Sequence, residues 1–269
     1  MIKKILIITT IFFLSQTFGL YAGTTGNEKL KNKELSNTAD ECFEGVSRAV
    51  FKFNHGLDKA VFKPVAKGFR SLPVPIRKGT GNAMENLRSL LTLTNNVLQG
   101  QFKEAGNTAG RFVINSTVGI LGIWDPAEAA FGLEKKGKED FGQTLGAWGT
   151  KSGCYFVLPI LGPTTVRDAV GLVGNSFLDP VWHITHNSEV NAGVGNQNYS
   201  EHNYYYYRGT SAVDFRSKNL DSFESVEKNA IDLYATVKSL YLQNRNKNIS
   251  NSLMQNQGDD SDWEEISTQ

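Results

Sequence analysis

From residue 43 onward, apolar and polar positions recur with the period of an α-helix. Phe43, Val46, Val50, Phe53 and Leu57 return at three- and four-residue steps, with Asn54 on the same face. That spacing predicts an amphipathic helix. Pro64 breaks it or starts another turn, and Leu72-Pro73-Val74-Pro75 is a clear break. A second helix is predicted over residues 83–99, with Met84, Leu87, Leu90, Leu91, Thr94 and Leu98 on one face and Gly100 as its C-terminal cap. A third is predicted over 103–117, using Ala105, Ala109, Phe112 and Val113, and Gly119 to Gly122 end it. Trp124-Asp125-Pro126 is a turn signal.

Residues 137–163 have no regular helical face. Gly137, Gly142, Gly146, Gly149, Gly153 and Gly162 are interleaved with Phe141, Leu145, Trp148, Tyr155, Phe156 and Leu158. Glycine permits tight bends and close backbone approach. Thr164 offers an N-cap for a helix from Val166 to Phe177. The polar stretch 181–208, with its run Tyr204 to Tyr207, reads as a long loop. The last predicted helix runs over 222–244 on a stripe of Phe223, Val226, Ala230, Leu233, Tyr234, Val237, Leu240 and Tyr241. Tyr155 to Leu158 is the one candidate strand. The expected fold class is mostly α, amphipathic helices joined by irregular Gly-rich connections.

The chain has 269 residues and a net charge of +1, from 28 basic and 27 acidic side chains. No basic excess is present for neutralising phosphates, so the composition argues against a nucleic-acid partner. Lys3 and Lys4 precede the apolar run Ile5 to Leu14, with small residues at Gly19 and Ala22. Residues 1–22 are therefore expected to be a cleaved signal peptide, residues 23–38 a polar linker, residues 39–247 the folded domain, and residues 248–269 a disordered acidic tail. Two cysteines, Cys42 and Cys154, exclude a disulfide-rich scaffold and a cysteine zinc cage.

Searches for chemistry return nothing that holds together. His183 and His186 have the spacing HxxH, with Glu189 and His202 nearby, but a polar surface is the plainer reading and no metal site is assigned. Asp140-Phe141-Gly142 spells a kinase fragment without the rest of the kinase set. Gly149-Thr150-Lys151-Ser152 has the wrong order for a phosphate loop. No GxSxG elbow occurs, so neither enzyme activity nor a cofactor is expected.

Several blocks, in order, carry a resemblance. Ala49-Val50-Phe51-Lys52-Phe53-Asn54-His55-Gly56-Leu57-Asp58 is followed by Lys63-Pro64-Val65-Ala66 and by Asn95-Asn96-Val97-Leu98-Gln99-Gly100. Arg111 to Gly119 and Trp124-Asp125-Pro126-Ala127 come next, then the strongest block, Glu139-Asp140-Phe141-Gly142-Gln143-Thr144-Leu145-Gly146. Trp148-Gly149, Leu158 to Pro163, Arg167-Asp168, Val213-Asp214-Phe215-Arg216 and Tyr241-Leu242-Gln243 complete the set. Together they resemble the MlaA/VacJ family over about residues 40 to 247. The resemblance implies a helical ring lying in the inner leaflet of a Gram-negative outer membrane, on its periplasmic face, with an amphipathic channel. It implies movement of mislocalised phospholipid out of the outer leaflet, association with a trimeric outer-membrane porin, and delivery of phospholipid to a periplasmic carrier protein. The sequence departs from the family's pattern in having no cysteine just after the signal-like start, in the opening Asp40 to Arg48, and in a longer stretch between Val181 and Arg208.

Under that resemblance, the segment from Gly142 to Phe177 is expected to form the channel's inner wall and gate. Gly146 and Gly149 would let the chain bend, while Phe156, Leu158 and Leu161 would contact acyl tails. Arg167 is expected either to meet phosphate through two parallel hydrogen bonds or to hold a nearby carboxylate in a structural ion pair. Cys42 and Cys154, standing where the family commonly has proline and in an oxidising compartment, either form a disulfide or serve as two separate small apolar side chains. The helix over 222–244 would brace the ring. The rival readings are a periplasmic structural or adhesive protein that keeps the fold without transport, and a hydrolase with an unrecognised site.

Overall fold

The structure is a computed structural model that describes residue 39, residues 41–186 and residues 201–256, with residues 201 and 251–256 described by backbone alone. The expected signal peptide, the linker, residues 187–200 of the expected loop and the tail beyond residue 256 lie outside the described residues.

Helix α1 (Glu44–Leu57) runs through a π-helical turn (Asp58–Phe62) into α2 (Lys63–Arg70). Pro64 is the cause of the widened turn. It has no N–H to donate, and its ring would press on the carbonyl four residues back. The backbone opens instead, so that the Lys63 N–H reaches the Asp58 carbonyl five residues away. After the expected break at Leu72-Pro73, α3 (Val74–Leu98) starts earlier than the apolar stripe predicts. Pro75 is tolerated in its first turn, and the buried Gly79 and Gly81 mark this stretch as a packing surface without an apolar stripe. Gly100, at φ +76°, ends the helix.

Helix α4 (Phe102–Thr117) follows, then α5 (Pro126–Ala129), capped by the Asp125 side chain. The stretch 137–163 is more regular than expected. It holds α6 (Phe141–Ala147), capped by Asp140 through the Gln143 N–H at 3.0 Å, and most of a hairpin. Strands β1 (Tyr155–Leu158) and β2 (Gly162–Thr165) pair antiparallel, with Tyr155 opposite Thr165 and Leu158 opposite Gly162. Helix α7 (Val166–Leu178) takes its cap from Thr165 rather than Thr164, because only the Thr165 hydroxyl reaches the Asp168 N–H.

Two expectations are corrected downstream. The flanks of the stretch 181–208 are helical, forming α8 (Pro180–His186) and the start of α9 (Glu201–Lys218). The single helix expected over 222–244 is two, α10 (Leu220–Asn229) and α11 (Leu233–Asn256). Asp232 accepts from the Ala235 N–H at 3.1 Å and so starts a new helix in the middle of an unbroken apolar stripe. Helix α11 also carries the backbone on through residues 248–256, where a disordered tail is expected.

The packing closes on itself. α2 packs on α9, α9 on α3, α3 on α6 and α7, α7 on β2, and β1 on α1, which is continuous with α2. α10 and α11 run along this circuit through ion pairs. Lys63 meets Glu224 at 3.1 Å, Lys59 meets Glu227 at 2.7 Å, Lys238 meets Glu41 at 2.6 Å and Arg245 meets Asp140 at 2.6 Å. The apolar core is small and sits where α11 crosses the hairpin. There Ala39, Tyr155, Val157 and Tyr234 are buried, with Val50, Phe51, Tyr241 and Leu242 against them. Cys42 and Cys154 are joined beside it, with their Cα atoms 5.6 Å apart.

Candidate functional site

Polar and apolar side chains are placed the wrong way round for a water-surrounded bundle. Among the described residues, Asn95 and Thr144 have no exposed surface and Asn96 has 2%, whereas Phe177 is 68% exposed, Leu161 67% and Val46 64%. On α7 the exposed residues Val166, Val170, Val173 and Phe177 make one helical stripe. Phe43, Val46 and Phe53 begin another on and just before α1, and Val61, Phe62 and Val65 continue the exposure into α2. Contiguous exposed apolar surface of this kind marks contact with another apolar phase. Amphipathic helices lying in a bilayer present such faces to acyl chains. No described helix is long and apolar enough to cross a membrane.

Asn95, Asn96 and Thr144 are each hydrogen-bonded to another polar side chain, which offsets the cost of withdrawing them from water. The Thr144 hydroxyl donates to Asn95 Oδ1 at 2.8 Å, and Gln99 Nε2 donates to Thr144 at 3.0 Å and to Glu139 at 3.1 Å. Asn96 donates to Thr108 at 3.3 Å, and Asn86 to Ser116 at 2.8 Å. These residues line the seams between α3, α4 and α6. A search for apolar periodicity passes over them, yet Thr92, Asn95, Asn96 and Gln99 form a polar stripe at helical spacing that is visible in the sequence.

A cleft of about 70 Å³ opens between α3, α4 and the segment 135–138. Its lining includes Arg88, Arg111, Lys135, Lys136 and Lys138 against the two carboxylates Glu85 and Asp125. Burial pushes the Glu85 carboxyl up, but hydrogen bonds and charge from Lys135 and Lys138 outweigh it and leave it lowered. Asp125 behaves alike: burial raises it, and Asn115 and Arg111 bring it below its ordinary value.

A second polar centre ties α11 to the circuit. Arg245 grips Asp140 with two hydrogen bonds of 2.6 Å and approaches Asp168 at 3.1 Å. Tyr241 donates to Asp168 at 2.6 Å. Burial pushes the Asp140 carboxyl up, but the Arg245 hydrogen bonds hold it down at about 2. Nothing in the sequence pairs Arg245 with Asp140, 105 residues away.

The residues expected to form the lipid path are distributed over several places. Arg167 is 7% exposed and bonds its neighbour Asp168 at 3.0 Å. Gly146 lies inside α6, where an added Cβ would stand 2.7 Å from Ile249 of α11, so it serves close packing. Gly149, at φ +88°, turns the chain after α6. Phe156 and Leu158 are half-buried on β1, and Leu161 is exposed beside Ile160 at the hairpin tip. Asn54 of α1 clamps this tip: its Nδ2 donates to the Leu158 carbonyl at 2.8 Å, and its Oδ1 accepts from the Ile160 N–H at 2.7 Å. Among the described residues no group of three or more His, Cys, Asp or Glu could hold a metal.

Comparison with known proteins places this arrangement in a family. The family model described as MlaA lipoprotein matches residues 39–248. The intermembrane phospholipid transport system lipoprotein MlaA of Haemophilus influenzae is 34% identical over 215 residues, spanning 79% of this chain and 80% of that protein. The protein of the same name from Escherichia coli is 29% identical over 203 residues, 74% of each chain. A solved structure described as the structural basis for maintenance of bacterial outer membrane lipid asymmetry superimposes with a TM-score of 0.64 at 27% identity, over 78% of this chain and 99% of that one. With the family model covering the whole of the described circuit from residue 39, the chain belongs to the MlaA lipoprotein family.

Proposed function

We propose that this protein moves phospholipid at the outer membrane of a Gram-negative bacterium, removing mislocalised lipid from the outer leaflet and passing it toward a periplasmic carrier protein. The observation that carries the reading is the inverted placement of side chains. Apolar stripes on α1 and α7 face outward, and a hydrogen-bonded polar seam lies between α3, α4 and α6. A protein that handles an amphiphile needs both chemistries within one wall. The names of the Haemophilus and Escherichia relatives, which describe an intermembrane phospholipid transport system, support the same direction. Work on the lipid falls to binding and positioning, without bond chemistry, so the protein acts as a transporter and not as an enzyme.

In this reading the protein lies on the periplasmic face of the outer membrane with its exposed apolar stripes among acyl chains, and a porin trimer is its membrane partner. The hairpin tip supplies tail contacts through Leu161, with Phe156 and Leu158 behind it. Arg167 and Gly146 hold α6, α7 and α11 together.

The test is complementation. The full chain is expressed in an Escherichia coli strain lacking its own MlaA, and phospholipid in the outer leaflet is measured. Restored asymmetry is the expected result. A folded, membrane-associated protein that leaves outer-leaflet phospholipid at the level of the deletion strain would reject transport. It would favour a structural role.

A further inference from the structure

The cleft between α3, α4 and residues 135–138 gathers more positive than negative side chains. Five cationic side chains line it against two carboxylates. Glu85 is shared by Lys135 and Lys138, the latter at 3.2 Å, and by Lys218 from α9 at 3.9 Å. Asp125 is consumed by Arg111 at 2.6 Å and Asn115 at 2.8 Å. Positive charge therefore remains in excess.

Arg88 stands out within that excess. Its Nε is withdrawn from solvent and meets no acceptor, and the buried Asp179 acts on its guanidinium through charge, without an ion-pair contact among the described residues. A buried donor without an acceptor is costly and rare in folded proteins. Arg88 is also a cleft-lining side chain, so its guanidinium borders the space an anion would occupy.

One wall of the cleft decides the kind of anion. Asn82, a lining residue, donates to the Ile123 carbonyl at 3.1 Å, and Gly122 lies directly against Asn86, another lining residue. The turn that follows α4 thus forms the rim, and its side chains point outward: Leu121 is 74% exposed and Trp124 62%. Ile120 and Leu121 are held at φ +50° and +57°, a left-handed region that bulky residues rarely adopt. A cationic cleft with an exposed apolar rim has the complementarity of an amphiphile, with an anionic head beside apolar tails.

We propose that this cleft binds the phosphodiester headgroup of a diacyl phospholipid, with Arg88 and Lys136 as its contacts and the turn 120–124 beneath the tails. The proposal rests on the transport reading for its ligand class. Arg88 binds by charge-assisted hydrogen bonds through a planar fork, and Lys136, whose ion pair is the exposed one with Glu134 at 3.2 Å, adds a second cation from the segment 135–138.

The full chain in detergent is titrated with short-chain phosphatidylglycerol, with short-chain diacylglycerol lacking phosphate, and with inorganic phosphate. The wild type should bind the phosphatidylglycerol, with diacylglycerol and inorganic phosphate each about tenfold weaker or worse. Arg88→Gln with Lys136→Gln should weaken the phosphatidylglycerol about tenfold or more. Lys136→Gln alone, on an exposed segment, should weaken it measurably while its unfolding midpoint stays that of the wild type. Unchanged lipid affinity in both variants overturns the site. Inorganic phosphate binding as tightly as the lipid overturns the headgroup and leaves a free-anion site. Failed complementation with charge-dependent binding intact would count against transport alone. Successful complementation with binding indifferent to Arg88 and Lys136 would count against the cleft alone.

Discussion

The close contacts between α6 and α7 come down to single atoms. An added Cβ at Gly171 would stand 2.5 Å from the Gly142 nitrogen and 2.6 Å from its Cα, both of them backbone that cannot rotate away. Gly171→Val should therefore destabilise the protein by about 1–3 kcal/mol, the usual cost of overpacking, read as a lower urea midpoint. Gly209, with nothing near its missing side chain, is the control: Gly209→Ala should leave the midpoint within about 0.5 kcal/mol of the wild type or raise it. The hairpin offers a functional counterpart. Leu158 is half-buried with its carbonyl held by Asn54, so Leu158→Lys places a cation behind the exposed tip. If the hairpin contacts acyl chains, outer-leaflet phospholipid should accumulate in cells carrying this variant while the protein stays folded and membrane-bound. Normal asymmetry would remove the hairpin from the lipid path.

At the scale of elements, two devices attach the ends of the domain to the circuit. The Cys42–Cys154 bond joins the segment before α1 to the start of β1, closing a loop across a separation of 112 residues. On the chain-entropy model a loop of that length gives about 4–5 kcal/mol before strain. Reduction, or Cys42→Ser with Cys154→Ser, should lower unfolding stability by about 2–5 kcal/mol, and denaturant melts with and without reductant measure it. The second device is Arg245 of α11 on Asp140. The Asp140 carboxyl sits at about 2 in the fold against an ordinary value of 3.8. A depressed carboxylate contributes stability above the unfolded value and loses it as pH falls through the folded one. The contribution, about 2 kcal/mol, should be present at neutral pH and drain away between about pH 4 and pH 2. The stability gap between wild type and Asp140→Asn should narrow across that window. Parallel pH curves for the two proteins would show that the pair does not act in this way.

For the whole molecule, the question is what covers the outward apolar stripes. Val173 and Phe177 are 60% and 68% exposed, so charging them removes little packing. Val173→Asp with Phe177→Asp should keep the unfolding midpoint and lower flotation with phospholipid vesicles, since a charge on a face seated in acyl chains is costly. Equal flotation of wild type and variant would mean that α7 does not face the bilayer.

Much of the helical content was legible in the sequence. The stripes on α1, α4 and α7 are local properties of side-chain spacing, and so are the break at Leu72-Pro73 and the cap at Gly100. The blocks around Asp140 and Asn95 were visible too, and they identified the family. What the apolar pattern could not reveal is which side of each stripe faces inward. The period is the same whether a stripe meets a core or a lipid phase, so Val46 and Val173 look like core residues until their neighbours are known. Nor could the pattern show the break at Asp232, where a capping carboxylate interrupts a stripe that continues unbroken on both sides. The role of Arg167 was open for a related reason: a guanidinium beside a carboxylate is free or paired according to burial. The Arg88 cleft and the Arg245–Asp140 pair are tertiary throughout. Their members lie on separate elements and have no local preference for one another. Local spacing determined the elements, and the closure of those elements into a circuit decided which polar groups meet and which apolar faces remain outside.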